Sequence, residues 1–574
     1  MLTDRDGQAP FESTGPGTAK VRVIATGWAS ALQGKREIAE VEGMKRDAVL
    51  HPIVYVRGYA MSRGEIDETT ADPFCGFNIG STVFRATASR TGPPRKYVFA
   101  SPVVRLTSDP NLGYSDVFTS GHDIMDDEWE GALPRKSIVI YRYYDSASTL
   151  LGSGVTPSIA EFGKGLSRLI ARIRDLVCRD PGNKVTPEQF RCYLVAHSMG
   201  GLVCRSFLQN VDLDEAGTRK CVDKFFTYAT PHNGIEVGGT NVPAWLAAND
   251  IRNFNREYMA EYLKLTDVFE KTKRVDVIRE SDGSLSPERM FCLIGTDRSD
   301  YEAAAGLSRT FVGHGSDGLV RIENASLCGI TSAGVEATPV AKAFVYRSHS
   351  GSFGIVNSEE SYQNLTRFLF GDIRVDIWVD VEEIRLPEDV QKEADKGRAI
   401  DALYQLEILA SPRGKLWYLT RRIAEEDSVA CLTHGEWMKG GQKPQSLYVS
   451  SVFLDNDARV DPNRRSLAYS MTLGVRVPDY EVERRIWLNE HYEGGYLFRD
   501  SVVIEIFPPA DAGAPWTVMS DWQSGNPGKA TKPLEATPTT EGRLAFSLPF
   551  DNGKKPGMRG RVRFVAAEWN SWNR

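Results

Sequence analysis

The sequence predicts an α/β fold in which a mostly parallel sheet is flanked by helices, followed by a C-terminal antiparallel β-sandwich domain. Three observations predict it. Between residues 51 and 371, short apolar runs typical of buried strands alternate with amphipathic helical segments. One of these runs, 193–197, leads into a tight turn that carries a serine and opens a helix. After Gly371, apolar residues alternate with polar ones at a period of two, which indicates half-buried strands.

We expect three regions along the 574 residues. Residues 1–50 form an N-terminal extension that is polar and Gly/Pro-rich at its start and is expected to be partly disordered. Residues 51–371 form the α/β domain, with insertions at about 60–135 and 235–288. Residues 372–574 form an accessory β-sandwich, because strand patterns and turn residues recur along them.

The elements of the α/β domain follow from apolar periodicity. The predicted strands are 52–59, 137–141, 193–197, 225–229, 289–295 and 343–346, and the predicted helices are about 159–176, 202–208 and 362–369. The insertion at 60–135 is rich in Gly, Pro, Thr and Asp and is expected to be irregular with short strands. The insertion at 235–288 has helical spacing, and two interpretations stay open: a lid over an apolar pocket or a fixed cap.

The C-terminal strands are predicted from their alternation. They are 373–381, 403–409, 416–421, 446–454, 466–477, 501–507, 544–548 and 561–566. Eight of the eleven tryptophans lie after residue 371, among them Trp516, Trp522, Trp569 and Trp572. Aromatic side chains at loop ends bind carbohydrate or a membrane surface in some proteins, but they also pack at the core and rim of a domain. Both interpretations stay open.

The segment Ala196–Gly200, with the sequence AHSMG, carries the most specific signal in the chain. A serine at a sharp strand-to-helix turn needs small residues two positions before and two after it, and Ala196 and Gly200 supply them. Ser198 Oγ would then project from the carboxyl edge of the sheet, and the N–H of Met199 would point toward an oxyanion formed there. The alternative is a strand–turn–helix junction whose small residues serve packing alone.

A serine hydroxyl needs a base, and the base needs an orienting acid. His349 is the candidate base, because it lies in a small-residue loop between the last predicted strand and the last helix of the domain. Two aspartates, Asp297 and Asp317, follow the strand 289–295. We favour Asp317, which lies in a turn that presents a carboxylate. The chain order serine, acid, histidine is the order of one hydrolase arrangement.

These residues resemble the α/β-hydrolase superfamily of the lipase type, including bacterial triacylglycerol lipases and the GPI inositol-deacylase-like group. The resemblance covers about residues 50–371 and is carried by the segments 196–203, 230–234 and 316–320 and by the loop around His349. It implies an α/β-hydrolase fold, with Ser198 as nucleophile, Asp317 as acid and His349 as base.

The resemblance also implies an oxyanion hole and a substrate-binding surface. Lipases usually read His-Gly-apolar after the first central strand, and this chain reads Arg57-Gly58-Tyr59. Tyr59 and Met199 are therefore the expected oxyanion donors, through their N–H groups. We assign His197 and Arg57 to substrate binding, with Arg57 facing an anionic head group such as phosphate, although a charge at a strand end is an equally ordinary role.

The implied function is that of a serine carboxylic-ester hydrolase of lipase or esterase type, which cleaves acyl esters through an acyl-enzyme on Ser198. Phospholipase and thioesterase activities stay open, because the motifs do not encode the shape of the pocket. The alternative is not an enzyme: it is a catalytically silent binding or scaffold protein that recognises its partner through the C-terminal β-sandwich. No cofactor and no metal site are expected, since no Cys/His spacing typical of metal ligation occurs.

The composition of the chain limits the classes of partner molecule that we expect. The net charge of −7 gives no basic footprint, so nucleic acid is not an expected partner. The expected partners are a lipid or acyl-ester substrate, with a membrane surface or carbohydrate as a further option for the C-terminal domain. No apolar run of transmembrane length and no signal-peptide pattern occurs, so we expect a cytoplasmic location, with signal-less secretion as the alternative.

Overall fold

The computed structural model describes residues 50–570 of the chain, all within one unit that extends from Leu50 to Ser571. Within this range the segments that are not described are 59–62, 73, 78–82, 87–94, 99–100, 121–123, 127–128, 150–155, 238–239, 242–250, 280–284, 299–314, 332–335, 351–353, 424–429, 442, 457, 460–462, 484–489 and 509–514. The predicted N-terminal extension lies almost entirely outside the described residues.

The first part of the chain alternates strands with helices. Its strands are β1 (Ile53–Val56), β2 (Val83–Ala86), β3 (Arg95–Val98), β4 (Asp116–Thr119), β5 (Ser137–Tyr141), β6 (Cys192–His197), β7 (Val222–Tyr228), β8 (Glu236–Val237), β9 (Thr240–Asn241), β10 (Val277–Arg279), β11 (Met290–Gly295), β12 (Cys328–Ile330), β13 (Glu336–Pro339) and β14 (Ala341–Val345). Its helices are α1 (Arg63–Ala71), α2 (Pro102–Ser108), α3 (Ile159–Arg179), α4 (Met199–Gln209), α5 (Arg256–Tyr262), α6 (Thr266–Thr272) and α7 (Glu359–Phe370).

Seven of these strands form one sheet in the order β14-β11-β7-β6-β1-β5-β4, and every neighbouring pair is parallel. The central strands β1, β5 and β6 are buried along their whole length, as expected for a parallel sheet covered by helices on both faces. The predicted parallel sheet is therefore confirmed. Strand β4, which lies within the insertion at 60–135, is the edge strand of this sheet beside β5.

The long helix α3 shows why these sequences form helices at these positions. Ser158 caps its N-terminus in a capping box with Glu161, which satisfies backbone N–H groups of the first turn. Its apolar residues recur at helical spacing and are buried against the sheet. Helices α5 and α6, within the predicted second insertion, contribute Met259, Tyr262 and Phe269 to the same hydrophobic core. The described helices of this insertion are therefore packed as part of the core.

The second part of the chain is built mainly of strands. They are β15 (Ile373–Arg385), β16 (Ile400–Pro412), β17 (Thr420–Arg422), β18 (Ala430–Thr433), β19 (Gln445–Leu454), β20 (Leu467–Val482), β21 (Glu490–Phe507), β22 (Thr517–Trp522), β23 (Lys532–Leu534), β24 (Ala536–Pro538), β25 (Leu544–Asp551) and β26 (Gly557–Glu568), with helices α8 (Glu388–Asp395) and α9 (His434–Lys439).

These strands form two antiparallel sheets that enclose a second hydrophobic core. One has the order β19-β15-β26-β25-β24, and the other has the order β17-β16-β20-β21-β22-β23, with β18 also paired to β16. The predicted antiparallel sandwich is confirmed. Each predicted strand has a counterpart, but β18, β22, β23, β24 and the two short helices were not predicted.

The sandwich covers the open edge of the parallel sheet. Among the described strands, β14 is the last of that sheet and pairs with β11, so its other side is an edge. The N–H of Phe344 donates to Thr420 Oγ1 at 3.2 Å, Ser450 Oγ donates to the carbonyl of Lys342 at 2.8 Å, and the N–H of Lys342 donates to Tyr448 Oη at 3.3 Å. Side chains of the C-terminal part thus protect this edge, while the boundary at residue 371 stays a prediction.

The last described residues of the chain also contact the α/β part of the protein. Trp569 Nε1 donates to the carbonyl of Phe368 at 2.5 Å, and the Trp569 ring is buried. The buried Lys224 Nζ donates to Asn570 Oδ1 at 2.6 Å, and burial holds the pKa of its ammonium group well below its usual value. Trp569 therefore serves packing; Trp572 lies outside the described residues. Across the part of the chain that the structure describes, no helix combines the length and apolarity that a membrane crossing requires.

Candidate active site

The turn after β6 holds Ser198 in a strained backbone conformation. Its φ is 51° and its ψ is −126°, values that L-residues adopt rarely. The N–H of Ser198 donates to the carbonyl of Tyr228 at 2.9 Å, and α4 begins at the next residue. A Cβ at position 200 would lie 2.3 Å from the carbonyl oxygen of Val56 and 2.4 Å from that of Arg57. Because backbone occupies this space, only glycine allows the elbow to lie against β1.

Three side chains meet at this turn in one hydrogen-bonded chain. Ser198 Oγ lies 2.8 Å from His349 Nε2, and His349 Nδ1 lies 2.9 Å from Asp317 Oδ2. All three residues are buried. A carboxylate can only accept, so Nδ1 carries the proton that it donates to Asp317, and Nε2 is free to accept the hydroxyl proton of Ser198. The structure thus brings together the serine, acid and histidine that the sequence singled out, at the carboxyl edge of the parallel sheet.

The acid is fixed by its own loop. Asp317 Oδ1 accepts the N–H groups of Leu319 at 3.0 Å and Val320 at 2.8 Å, which leaves Oδ2 for the histidine. The N–H of His349 donates to the carbonyl of Asp317 at 2.9 Å, so the two loops are also joined through their backbones. The alternative acid, Asp297, is buried after β11, where its N–H donates to the carbonyl of Arg347 at 3.2 Å.

His197 lies directly behind the base. Its Nε2 donates to the carbonyl of His349 at 2.9 Å, since a carbonyl can only accept, and the two ring centroids are 5.0 Å apart. Burial, together with the nearby His349 and Arg57, lowers the pKa of His197 well below its usual value. A neutral ring in this place supports the His349 loop, a contact that the sequence did not suggest.

The predicted oxyanion donors are only partly described. Tyr59 lies outside the described residues. Met199 is buried and is the first residue of α4, so its N–H is at the N-terminus of that helix. Arg57 is half-buried, and its Nη1 donates to Thr69 Oγ1 on α1.

Two residues that support the site were missed by sequence reasoning. Tyr143 is buried just beyond β5, and its hydroxyl donates to the carbonyl of Arg57 at 2.7 Å, which fixes the end of β1 beside the elbow. Arg205 lies fully buried in α4, where its guanidinium donates to the carbonyls of His232 and Val277, each at 2.8 Å. The pair of tyrosines at positions 143 and 144, just after β5, hints at a buried tyrosine, but nothing in the sequence marks Arg205 as a buried cation.

His232, in the segment 230–234 that follows β7, is fully buried. Its Nε2 lies 3.3 Å from Thr227 Oγ1, and burial lowers its pKa well below the usual value. Of the described residues, one group has ligand atoms close enough to hold a metal ion: Asp479, Glu481 and His491, at the surface of β20 and β21 in the sandwich. It does not include a residue of the Ser198 site.

Comparison with known proteins gives distant similarities only. No protein-family model matches the chain, and no curated protein matches it. Among fourteen matching chains of solved structures, the mature lipase BlEst2 of Bacillus licheniformis is 16% identical over 57% of this chain and 95% of its own, with a TM-score of 0.27. Phospholipase PlaB of Legionella pneumophila is 11% identical over 77% of this chain and 90% of its own, with a TM-score of 0.30. Lipase B of Aspergillus fumigatus is 13% identical over 57% of this chain and 53% of its own, with a TM-score of 0.21.

Proposed function

We propose that the protein is a serine carboxylic-ester hydrolase that forms an acyl-enzyme on Ser198. The observation that carries the proposal is the hydrogen-bonded chain from Ser198 through His349 to Asp317, with distances of 2.8 and 2.9 Å, at a strained strand-to-helix turn. Nucleophile, base and orienting acid in this geometry are the parts that acyl transfer requires. The lipase-like motifs in the sequence support the same reaction class.

The first step is acylation. Ser198 Oγ attacks the carbonyl carbon of the ester, and its proton moves to His349 Nε2, which accepts it along the existing 2.8 Å hydrogen bond. Asp317 keeps the proton of Nδ1 in place and stabilises the imidazolium that forms. The tetrahedral oxyanion is held by the N–H groups of Met199 and Tyr59, each contributing about 3 kcal/mol. His349 Nε2–H then protonates the leaving alkoxide, and the alcohol departs.

Deacylation repeats the proton transfers with water. His349 Nε2 takes a proton from a water molecule, and the hydroxide attacks the acyl carbon on Ser198. Collapse of the second oxyanion returns the proton from Nε2 to Ser198 Oγ and releases the carboxylic acid. His197 acts as a positioning residue in both steps, because its neutral ring donates to the backbone carbonyl of His349.

The substrate class we propose is an acyl ester of lipid type. Phospholipase and thioesterase activities are variants of this proposal that differ in the acyl length or head group of the substrate. Arg57 is the residue we propose for an anionic head group. It follows β1 near the elbow, and its guanidinium donates a hydrogen bond to Thr69 on α1. A panel of p-nitrophenyl esters from acetate to palmitate, with phospholipids and acyl-coenzyme A thioesters, separates these variants.

The test of the proposal compares substitutions of two buried serines, one at the N-cap of α4 and one within that helix. Ser198→Ala is expected to lower kcat for a short p-nitrophenyl ester by roughly 10⁶-fold, because it removes the nucleophile. Ser206→Ala is the matched control, since Ser206 is a buried serine of the same helix α4 whose hydroxyl donates to the carbonyl of Val203. It should keep the parent kcat.

Two outcomes would contradict the proposal. A Ser198→Ala variant that hydrolyses the ester within tenfold of the parent excludes Ser198 as the nucleophile. A folded parent protein that hydrolyses no ester or thioester of the panel favours the alternative, a catalytically silent binding protein that recognises its partner through the sandwich. Circular dichroism melts of each variant verify that loss of turnover is not loss of fold.

A further inference from the structure

The C-terminal sandwich contains an apolar cavity of about 650 Å³ between its two sheets. Strands of both sheets line it, with Val375 on β15 and Phe564 on β26 on one side and Tyr469 on β20 and Ile504 on β21 on the other. The volume falls within the range of about 300–1,000 Å³ that is typical of small-molecule sites. None of the residues that line it belongs to the Ser198 site.

The sandwich is closed at one end and hollow at the other. At the hollow end the inward-facing residues retain some exposure, 8% for Val375 and Phe564 and 7% for Ile504. Further along the same strands the inward-facing residues Val379 and Val562 have none. Loose packing is therefore confined to one end of the sandwich, and the cavity occupies that end, where the chain enters from α7.

The cavity opens to solvent on one side, but a space of this size between two packed sheets is unusual. Interiors are close-packed, and few gaps exceed the size of one water molecule. An apolar cavity offers water few hydrogen-bond partners, and apolar ligands enter such cavities readily. Ile373, Val375 and Ile377, three successive inward positions of β15, all line it. At about 3.3 Å per residue they span about 13 Å, so the space is elongated along the strands.

The charged residues that line the cavity lie at its solvent-exposed opening, since the side chains of Glu541 and Glu288 are 69% and 41% exposed. Arg543 lies there and forms ion pairs with Glu288, with Glu541 at 3.3 Å and with Asp376 at 3.6 Å. Glu568 lines the same opening. Among the residues that line the cavity, the three carboxylates of Glu288, Glu541 and Glu568 outnumber the one cation, Arg543, so an anionic head group at this place would meet repulsion.

We propose that this cavity binds one long acyl or alkyl chain that carries an uncharged head group, with the chain between the two sheets and the head at Arg543 and Glu541. The site is separate from the proposed ester hydrolysis. A fatty alcohol satisfies its chemistry without being a substrate of the Ser198 site, so the two proposals are testable apart.

The test measures binding of dodecan-1-ol to the full-length protein by equilibrium dialysis, with laurate as the anionic ligand of equal chain length. One saturable site per chain is expected, with laurate bound at least tenfold more weakly. Val375→Phe is expected to fill the cavity, lower the affinity for dodecan-1-ol at least tenfold and raise the melting temperature. Ala410→Leu, on the opposite sheet, is the second variant and should act in the same direction.

Controls separate this site from other causes. Val104→Phe adds the same phenyl group at an exposed position of α2 and should leave dodecan-1-ol binding unchanged. Ser198→Ala should bind dodecan-1-ol like the parent, whatever happens to ester turnover, and Val375→Phe should hydrolyse a short ester like the parent. Absence of saturable binding, unchanged affinity in both cavity variants, or laurate bound as tightly as the alcohol would overturn the proposal.

Discussion

Asp317→Asn changes the site without changing its shape. In the parent protein, Asp317 Oδ1 accepts the N–H groups of Leu319 at 3.0 Å and Val320 at 2.8 Å. In the variant, the amide oxygen must take the place of Oδ1, since the amide nitrogen cannot accept these two bonds. The NH₂ group then faces His349 Nδ1 from a place 2.9 Å away. As the NH₂ group only donates, Nδ1 becomes an acceptor and Nε2 carries the proton.

The histidine in this tautomer cannot take the proton of Ser198. Removing the correct tautomer while keeping geometry costs about 10⁴-fold in kcat, equivalent to about 5.4 kcal/mol of transition-state stabilisation. The assay is steady-state hydrolysis of p-nitrophenyl butyrate at pH 7.5. The control is Asp297→Asn, which alters the other buried aspartate after β11 and should retain most of the turnover. The reasoning is refuted if Asp317→Asn stays within tenfold of the parent, or if Asp297→Asn shows the larger loss.

Two further predictions concern the elbow and His51, a half-buried histidine just before β1. Gly200→Ala places a Cβ 2.3 Å from the carbonyl oxygen of Val56, so the backbone must move by about 1.1 Å to restore a contact of 3.4 Å. A displacement of this size is expected to lower kcat/KM for the butyrate ester about 100-fold. The control is Gly435→Ala, whose Cβ meets nothing within 4 Å and which should leave kcat/KM unchanged. Equal kcat/KM in the two variants would contradict the close packing of α4 on β1. His51 has its pKa lowered to about 3 by burial. The folded protein therefore binds fewer protons than the unfolded chain below pH 6.5, and stability is lost as the pH falls from about 6.5 toward 3, by about 1.4 kcal/mol per pH unit for this one group. Urea unfolding at pH 7, 5.5 and 4.5 should show a shallower fall for His51→Gln than for the parent, and an identical slope would show that His51 is protonated in the folded state.

The sequence predicted the central part of the fold because that part depends on local patterns. Strands β1, β5 and β6 are buried on both faces, so each is a continuous apolar run that stands out from its surroundings. The elbow is encoded within the five residues 196–200. The order of serine, acid and histidine then limited the candidates for the other two positions to a few loops.

Features that depend on contacts between distant segments were not predictable. Strand β4 has the sequence DVFT, and its apolar content is too low to distinguish it from a loop; it is a strand because β5 offers a parallel edge. The protection of β14 by Thr420 and Ser450 joins residues more than seventy positions apart. The burial of Arg205 depends on carbonyls that a loop after β7 and strand β10 supply.

The choice between Asp297 and Asp317 as the acid shows how the surroundings of a residue decide its role. Asp297 and Asp317 both follow β11, and both are buried. The sequence favoured Asp317 on the basis of its turn alone. In the structure Asp317 Oδ2 lies 2.9 Å from Nδ1 of His349, because the N–H groups of residues 319 and 320 orient the Asp317 carboxylate.

The most direct measurement of the proposed chemistry is covalent labelling of the full-length protein with a fluorophosphonate, followed by peptide mapping. A serine activated by a neighbouring imidazole reacts with this probe, whereas ordinary serines do not. We predict one adduct per chain, on Ser198, that forms at a greatly reduced rate in His349→Ala. A correctly folded protein that takes up no label, or takes it up on another residue, would contradict the account.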